Sequence, residues 1–186
     1  MRVLSTAMAA LVPKNARVLD VGCGDGLISN ADSAWKADIT VEGIDVLLRP
    51  KAHIPVSQFD GTHLPYVDGI FDTVMFVDVL HYTEDPSVLL REATRVSKNV
   101  VLIKDHVRDG FLAGPTLHFM DWMGNARHGV IIPANYGPQN RGYDAFAQMG
   151  LMVNYWTKDV PLYPRWVAWV FGRSLHFIVR LAKHRS

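Results

Sequence analysis

The 186-residue chain has a single cysteine, Cys23, and neither internal repeats nor low-complexity linkers. One thiol cannot close an internal disulfide or build a cysteine cage for a metal, so an apolar core has to hold the fold, and a reducing compartment suits it. Charge of one sign is lacking as well: 19 Lys and Arg stand against 18 Asp and Glu, a formal net charge of +1. No global field gathers phosphates, and nucleic acid is not an expected partner. Long apolar runs are missing too. The most hydrophobic candidate, near the carboxyl end, is interrupted by Arg173 and Arg180, short of the ~18 residues that a membrane-spanning helix requires. Arg2 followed by Val3 to Val12 imitates a secretory signal only faintly, because Ser5 and Thr6 break its apolar core. A short helix packed on the domain is expected there, in a cytoplasmic protein.

What is present is core material. Hydrophobic residues make up 49% and charged residues 20% of the chain, and the mean hydropathy is +0.07. That is ample for one domain over residues 1–186.

Periodicity then orders the elements. Arg17 to Val21 is a short, β-branched run that stops at Gly22-Cys-Gly-Asp-Gly26, which reads as a buried strand running into a glycine turn. Leu27 to Lys36 is expected to be helical, Thr40 to Asp45 a second strand, Ile54 to Phe59 a third and Phe71 to Asp78 a fourth. Asp85 is placed to cap a helix that has Pro86 at its first position and Leu89, Ala93 and Val96 on one face. Asn99 to Asp105 makes a fifth strand. Strands alternating with helices predict an α/β fold with a mostly parallel sheet, whose ligands bind beyond the carboxyl ends of the strands. Residues 110–142, rich in Gly, Pro, Asn and aromatics, read as a lid or acceptor-pocket wall. Tyr143 to Met149 reads as a short helix closed by Gly150, Leu151 to Thr157 as a strand, and Leu175 to Leu181 as the last one.

The glycine turn carries the chemistry. Without a Cβ the backbone can approach a ligand and adopt positive φ. Asp45 ends the next strand about 20 residues on, where an acid accepts hydrogen bonds from both hydroxyls of a ribose. Together they point to an adenosine-bearing ligand. A nicotinamide dinucleotide fits poorly, because the third glycine comes one residue early for Gly-x-Gly-x-x-Gly and Asp25 would repel a pyrophosphate.

Val18 to Gly26, read as Val-Leu-Asp-Val-Gly-Cys-Gly-Asp-Gly, resembles the first motif of the class I S-adenosylmethionine-dependent methyltransferases. Gly43-Ile-Asp45, Asp60-Gly61, the run Leu64 to Asp72 and the segment Val79-Leu-His-Tyr82 with Asp85-Pro86 resemble later motifs of the small-molecule (type 11-like) branch, which includes quinone-biosynthesis enzymes. The resemblance implies a Rossmann-like, doubly wound, seven-stranded sheet ending in an antiparallel hairpin. It also implies S-adenosyl-L-methionine as cofactor and a set of roles. Asp20 would orient the loop and meet the methionine amino group, while Gly22, Gly24 and Gly26, with Cys23 among them, let the cofactor approach. Asp45 would hold the ribose and Asp60, followed by Gly61, the exocyclic amine of adenine; Asp78 would lie beside the methionine moiety. Only fourteen residues separate Asp45 from Asp60, with Pro50 and Pro55 among them, so the family's helix there is expected to shrink to a turn. Val46, Leu47 or His53 would then wall the adenine.

Methyl transfer from a sulfonium asks the protein to position the acceptor, exclude water and, for a hydroxyl, remove a proton. Candidate bases belong where strands four and five end, which singles out His81 and His106, with Asp105 able to orient an imidazole. His118, His128 and Tyr136 lie in the suspected lid. The eight histidines are scattered without the close spacing of coordination sites, so no metal is expected. The tail mixes Arg165, Arg173, Arg180, Lys183 and Arg185 with Trp166, Trp169, Phe171 and Phe177. It reads either as a strand with its cations outward or as a contact for an anionic membrane or lipid-linked substrate. The functional expectation is a methyltransferase acting on a small or glycan- or lipid-linked metabolite at O, N or C. A cofactor-binding sensor or partner subunit without turnover is its rival.

Overall fold

In chain order the elements are α1 (Arg2–Leu11), β1 (Arg17–Val21), β2 (Thr40–Asp45), β3 (Val56–Gln58), β4 (Phe71–Val77), a 3-10 turn (Leu80–Tyr82), α2 (Pro86–Val96), β5 (Ser97–His106), β6 (Leu151–Thr157) and β7 (His176–Lys183). The structure is a computed structural model that describes residues 2–30, 35, 38–106, 146–157 and 176–183. The expected lid, with His118, His128 and Tyr136, lies outside the described residues, as does most of the basic aromatic tail.

The strands form one seven-stranded sheet in the order β3-β2-β1-β4-β5-β7-β6. β1 to β5 run parallel, with Val18 beside Val41 and Thr73 and Val74 beside Val101. β7 is antiparallel to both of its neighbours, β5 and β6, the hairpin that the resemblance implies. Because parallel strands are covered on both faces, they read as near-continuous apolar runs. Val74, Phe76, Val101 and Ile103 pack with Leu89, Leu90, Ala93 and Val96 of α2. Met75, Val100 and Leu102 pack on the other face with Leu4, Met8 and Ala9 of α1. Arg95 fastens the segment leading into β4 by donating to the carbonyls of Tyr66 at 2.7 Å and Leu64 at 2.9 Å.

Three expectations need correction or trimming. Residues 27–29 form turns instead of opening a helix. The carbonyl of Ile28 is taken by the Ser5 hydroxyl at 2.7 Å and the Trp35 indole at 3.0 Å, and the amide of Leu27 turns back to Asp25 at 3.1 Å, so the helical ladder has lost its partners. β3 spans only Val56–Gln58, since Pro55 has no amide to donate and Ile54 is drawn to the glycine turn, where it fills the space that a Cβ on Gly26 would need. The described part of the tail is an interior strand. Phe177 stacks on Trp156 with ring centroids 4.9 Å apart. Arg180 donates to the carbonyl of Leu11 at 3.0 Å, and Lys183 to those of Thr94 and Ser97 at 2.9 and 3.0 Å. No described helix is long and apolar enough to cross a membrane.

The cap of α2 forms as expected. The Asp85 carboxylate accepts the amide of Ser87 at 2.9 Å, and Pro86 opens the helix. Asp85→Ala should lower the unfolding free energy by about 1 kcal/mol in urea titrations; a change within a few tenths would mean that the cap is idle.

Candidate functional site

Beyond Val21 the chain turns with positive φ at Gly22 (71°), Gly24 (60°) and Gly26 (73°). The amides of Gly22 and Cys23 reach back to the carbonyl of Ile44, at 2.7 and 3.3 Å, which ties the turn to the end of β2. Asp45 follows there, buried, with both carboxylate oxygens engaged: one accepts the amide of Gly24 at 2.8 Å, the other that of Leu47 at 3.0 Å. The acid thus holds the glycine turn as well as facing the strand ends. A Cβ on Gly22 would stand 2.6 Å from the side chain of Val79, so the turn also lies against the chain leaving β4.

The two adenosine motifs of the sequence come together. Phe59 donates its amide to the carbonyl of Asp45 at 3.1 Å, and a Cβ on Gly61 would be 3.2 Å from Val46. Asp60 closes its own loop, accepting the amides of Thr62 and His63, each at 2.7 Å. Those two bonds, with the Thr62 hydroxyl, hold its carboxyl below the usual carboxylate range. The helix between β2 and β3 is reduced to bends, and His53 donates its amide to the carbonyl of Asp25 at 2.8 Å. Val46, Leu47 and Leu48 stand 53, 56 and 49% exposed, an apolar run beside Asp45. A hollow of about 600 Å³ opens between Gly24, Asp25, Arg49, Pro50 and Lys51. A similar one of about 530 Å³ lies between Asp68, Arg91, Arg95 and Lys183. The second is at the opposite end of the strands, away from the glycine turn and Asp45.

Asp20 is 2% exposed; one oxygen accepts the Ser29 hydroxyl, and the other has no hydrogen-bond partner among the described residues. Burial pushes its carboxyl from 3.8 up to about 7, against the Ser29 bond and with a further push from Asp45. Burial, then Asp20 and Asp45, push the Cys23 thiol up to about 12, so it stays protonated near neutrality and is no nucleophile.

At the ends of β4 and β5 a charged group assembles. Nδ1 of His81 lies 2.6 Å from Oδ1 of Asp105, so Asp105 orients His81. His106 closes β5 with its backbone beside His176, and its side chain is outside the described set. Asp78 has a positive φ of 56°. It donates its amide to the carbonyl of Lys104 at 2.8 Å, and its carboxylate is ion-paired with the Lys104 ammonium. Donor atoms of Asp78, His81 and Asp105 lie within 4.8 Å of one another; the cation that meets Asp78 there is Lys104. Sequence reasoning passed over Lys104 and Ser29. The signal for Lys104 was available, since a lysine continuing the buried run Val100 to Ile103 needs a counter-charge.

Residues 19–102 match the family model described as a methyltransferase domain. A ubiquinone biosynthesis O-methyltransferase of Xanthomonas axonopodis is 30% identical over 106 residues, covering 51% of this chain and 44% of that protein. The 27-O-demethylrifamycin SV methyltransferase of Amycolatopsis mediterranei is 32% identical over 108 residues, covering 50% and 39%. The matched stretch thus spans less than half of the length of these relatives. Among solved structures, an S-adenosylmethionine-dependent methyltransferase of Mesorhizobium loti superposes with a TM-score of 0.63 at 18% identity, covering 95% of this chain and 96% of its own. A Haloferax volcanii complex with the Trm112 methyltransferase activator gives 0.61 at 19%, covering 99% and 91%. The structural likeness establishes the Rossmann-like fold.

Asp20 yields a prediction that needs no ligand. The folded protein keeps a proton there that the unfolded chain releases above its ordinary value of 3.8. The stabilisation is complete below about pH 4 and is lost as pH rises through about 7. Asp20→Asn should remove this dependence and leave the variant more stable than the parent at pH 8, by ~4 kcal/mol at most. Chemical unfolding of both proteins from pH 5 to 8 checks it; parallel curves would contradict it.

Proposed function

We propose that this chain, whose residues 19–102 match a methyltransferase domain, is a class I S-adenosylmethionine-dependent methyltransferase and that it methylates a hydroxyl of a small or lipid-linked metabolite. The observation that carries the reading is the placement of the glycine turn and Asp45 at one set of strand ends, with the His81–Asp105 pair at the next. The residues fit the cofactor. The backbone at Gly24 opens onto space, with nothing within 4 Å of where a Cβ would stand. The buried oxygen of Asp20 that lacks a partner among the described residues is an acceptor suited to an ammonium group.

When bound, S-adenosylmethionine supplies a methyl group on a cationic sulfur, which keeps the electron pair of the broken carbon–sulfur bond. Asp45 would hold the ribose hydroxyls, Asp60 and the exposed Val46–Leu48 run the adenine, and Asp78 would lie beside the methionine moiety. His81 would take the acceptor's hydroxyl proton at Nε2, since Nδ1 faces Asp105, and Asp105 would stabilise the imidazolium formed. Hydroxyl acceptors are favoured because the names of both curated relatives describe O-methylation. A lone cysteine suits the cytoplasm as the place of this reaction. The second reading, a cofactor-binding subunit without turnover, draws on the Haloferax neighbour solved with an activator.

Asp45→Ala should weaken S-adenosylmethionine binding in isothermal titration by ~10- to 100-fold, through unpaired hydroxyls; unchanged affinity would remove Asp45 from the site. The intact protein should release labelled methyl into a metabolite extract. His81→Asn should cut that release ~100-fold or more with cofactor affinity kept. Tight cofactor binding with no methyl released would favour the second reading.

A further inference from the structure

We infer that Lys104 is a positioning residue for the His81–Asp105 pair: it holds the Asp78 carboxylate beside the imidazole and balances one of the two negative charges there. This rests on reading His81 as a base, though its test does not need the cofactor.

Lys104 is 2% exposed and extends a strand whose preceding residues, Val100 to Ile103, are all buried. A buried ammonium is costly unless it is paired and hydrogen-bonded. The Lys104 ammonium is paired with the Asp78 carboxylate, and a separate main-chain bond, from the Asp78 amide to the Lys104 carbonyl at 2.8 Å, ties the same two residues together. Asp78 in turn sits at a φ of 56°, a conformation that L residues other than Asn and Asp seldom adopt and that persists where surroundings over-determine it. Lys104 is part of that surrounding.

Strand alternation separates the roles. Lys104 falls on the face of Val100 and Leu102, which pack with α1, while Asp105 falls on the face of Val101 and Ile103, which pack with α2. Asp78, just past the end of β4, meets Lys104 and still keeps its carboxylate within 4.8 Å of the His81 and Asp105 donors. Charged or titratable groups close to His81 include Asp105 at 2.6 Å, Asp78 with Lys104 behind it, and Tyr82, whose ring centroid is 3.9 Å away. Two carboxylates beside one imidazole favour its protonated form, and a cation opposes them. Removing Lys104 would leave both carboxylates acting on the ring without that opposition.

Carbon-13 NMR of the histidine rings in the full chain, with the His81 signal assigned from its loss in His81→Asn, follows this directly across pH. Lys104→Met should raise the pH at the midpoint of the His81 titration by about one unit, roughly tenfold in proton affinity. Adding Asp78→Asn to that variant should bring it back to within a few tenths, and Lys104→Arg should leave it unchanged. An unmoved midpoint in Lys104→Met, or a shift that survives the second substitution, overturns the inference. If Lys104→Met fails to fold, Asp78→Asn alone decides: the midpoint should fall, and an unchanged one overturns the proposal. Because no cofactor or acceptor is added, failure here is separate from failure of methyl transfer.

Discussion

Gly22 has to lack a side chain for two independent reasons. Its φ of 71° lies where a Cβ is disfavoured, and a Cβ there would press into Val79, 2.6 Å away. The ends of β1 and β4 can close on each other only because of this, and the same turn is sewn to β2 through the carbonyl of Ile44 and the carboxylate of Asp45. Everything attributed to the site follows from that closure. Asp20 is buried behind the turn, Asp45 is fixed across it, and Asp78 to His81 leave β4 alongside it.

Two kinds of charge are handled differently around this closure. Behind the turn, Asp20 has a hydroxyl for company and no counter-ion among the described contacts, and burial drives it toward its neutral form. At the end of β4, Asp78 has a buried lysine and keeps its place beside a histidine. In the proposed function the first arrangement would offer an acceptor to a cationic ligand group, and the second would serve a proton acceptor. Both sit at carboxyl ends of parallel strands, where the backbone opens instead of continuing into the next element.

Much of this was legible in the chain. β1, β2, the Asp85 cap and β6 lie where periodicity and capping chemistry put them, because each rests on local preference and on burial of an unbroken apolar run. The glycine turn and its acid were legible for the same reason: spacing along the chain sets them at adjacent strand ends. The turn at residues 27–29 was not, since its cause is the capture of the Ile28 carbonyl by Ser5 and Trp35, and no local pattern reports such partners. Asp105 was expected to orient an imidazole; that it faces His81 depends on the path of the 3-10 turn, which only tertiary packing decides. Lys104 was passed over because a lysine in a strand is ordinarily placed at a surface.

Hydrogen–deuterium exchange of the full chain with and without S-adenosylhomocysteine tests the central claim most directly, because it reads the cradle itself and not turnover. The account requires slower exchange at residues 22–26, 45–47 and 60–63 together, with the far hollow beside Arg91 and Lys183 unaffected. Protection confined to that far hollow, or none at the three strand-end segments, would contradict it.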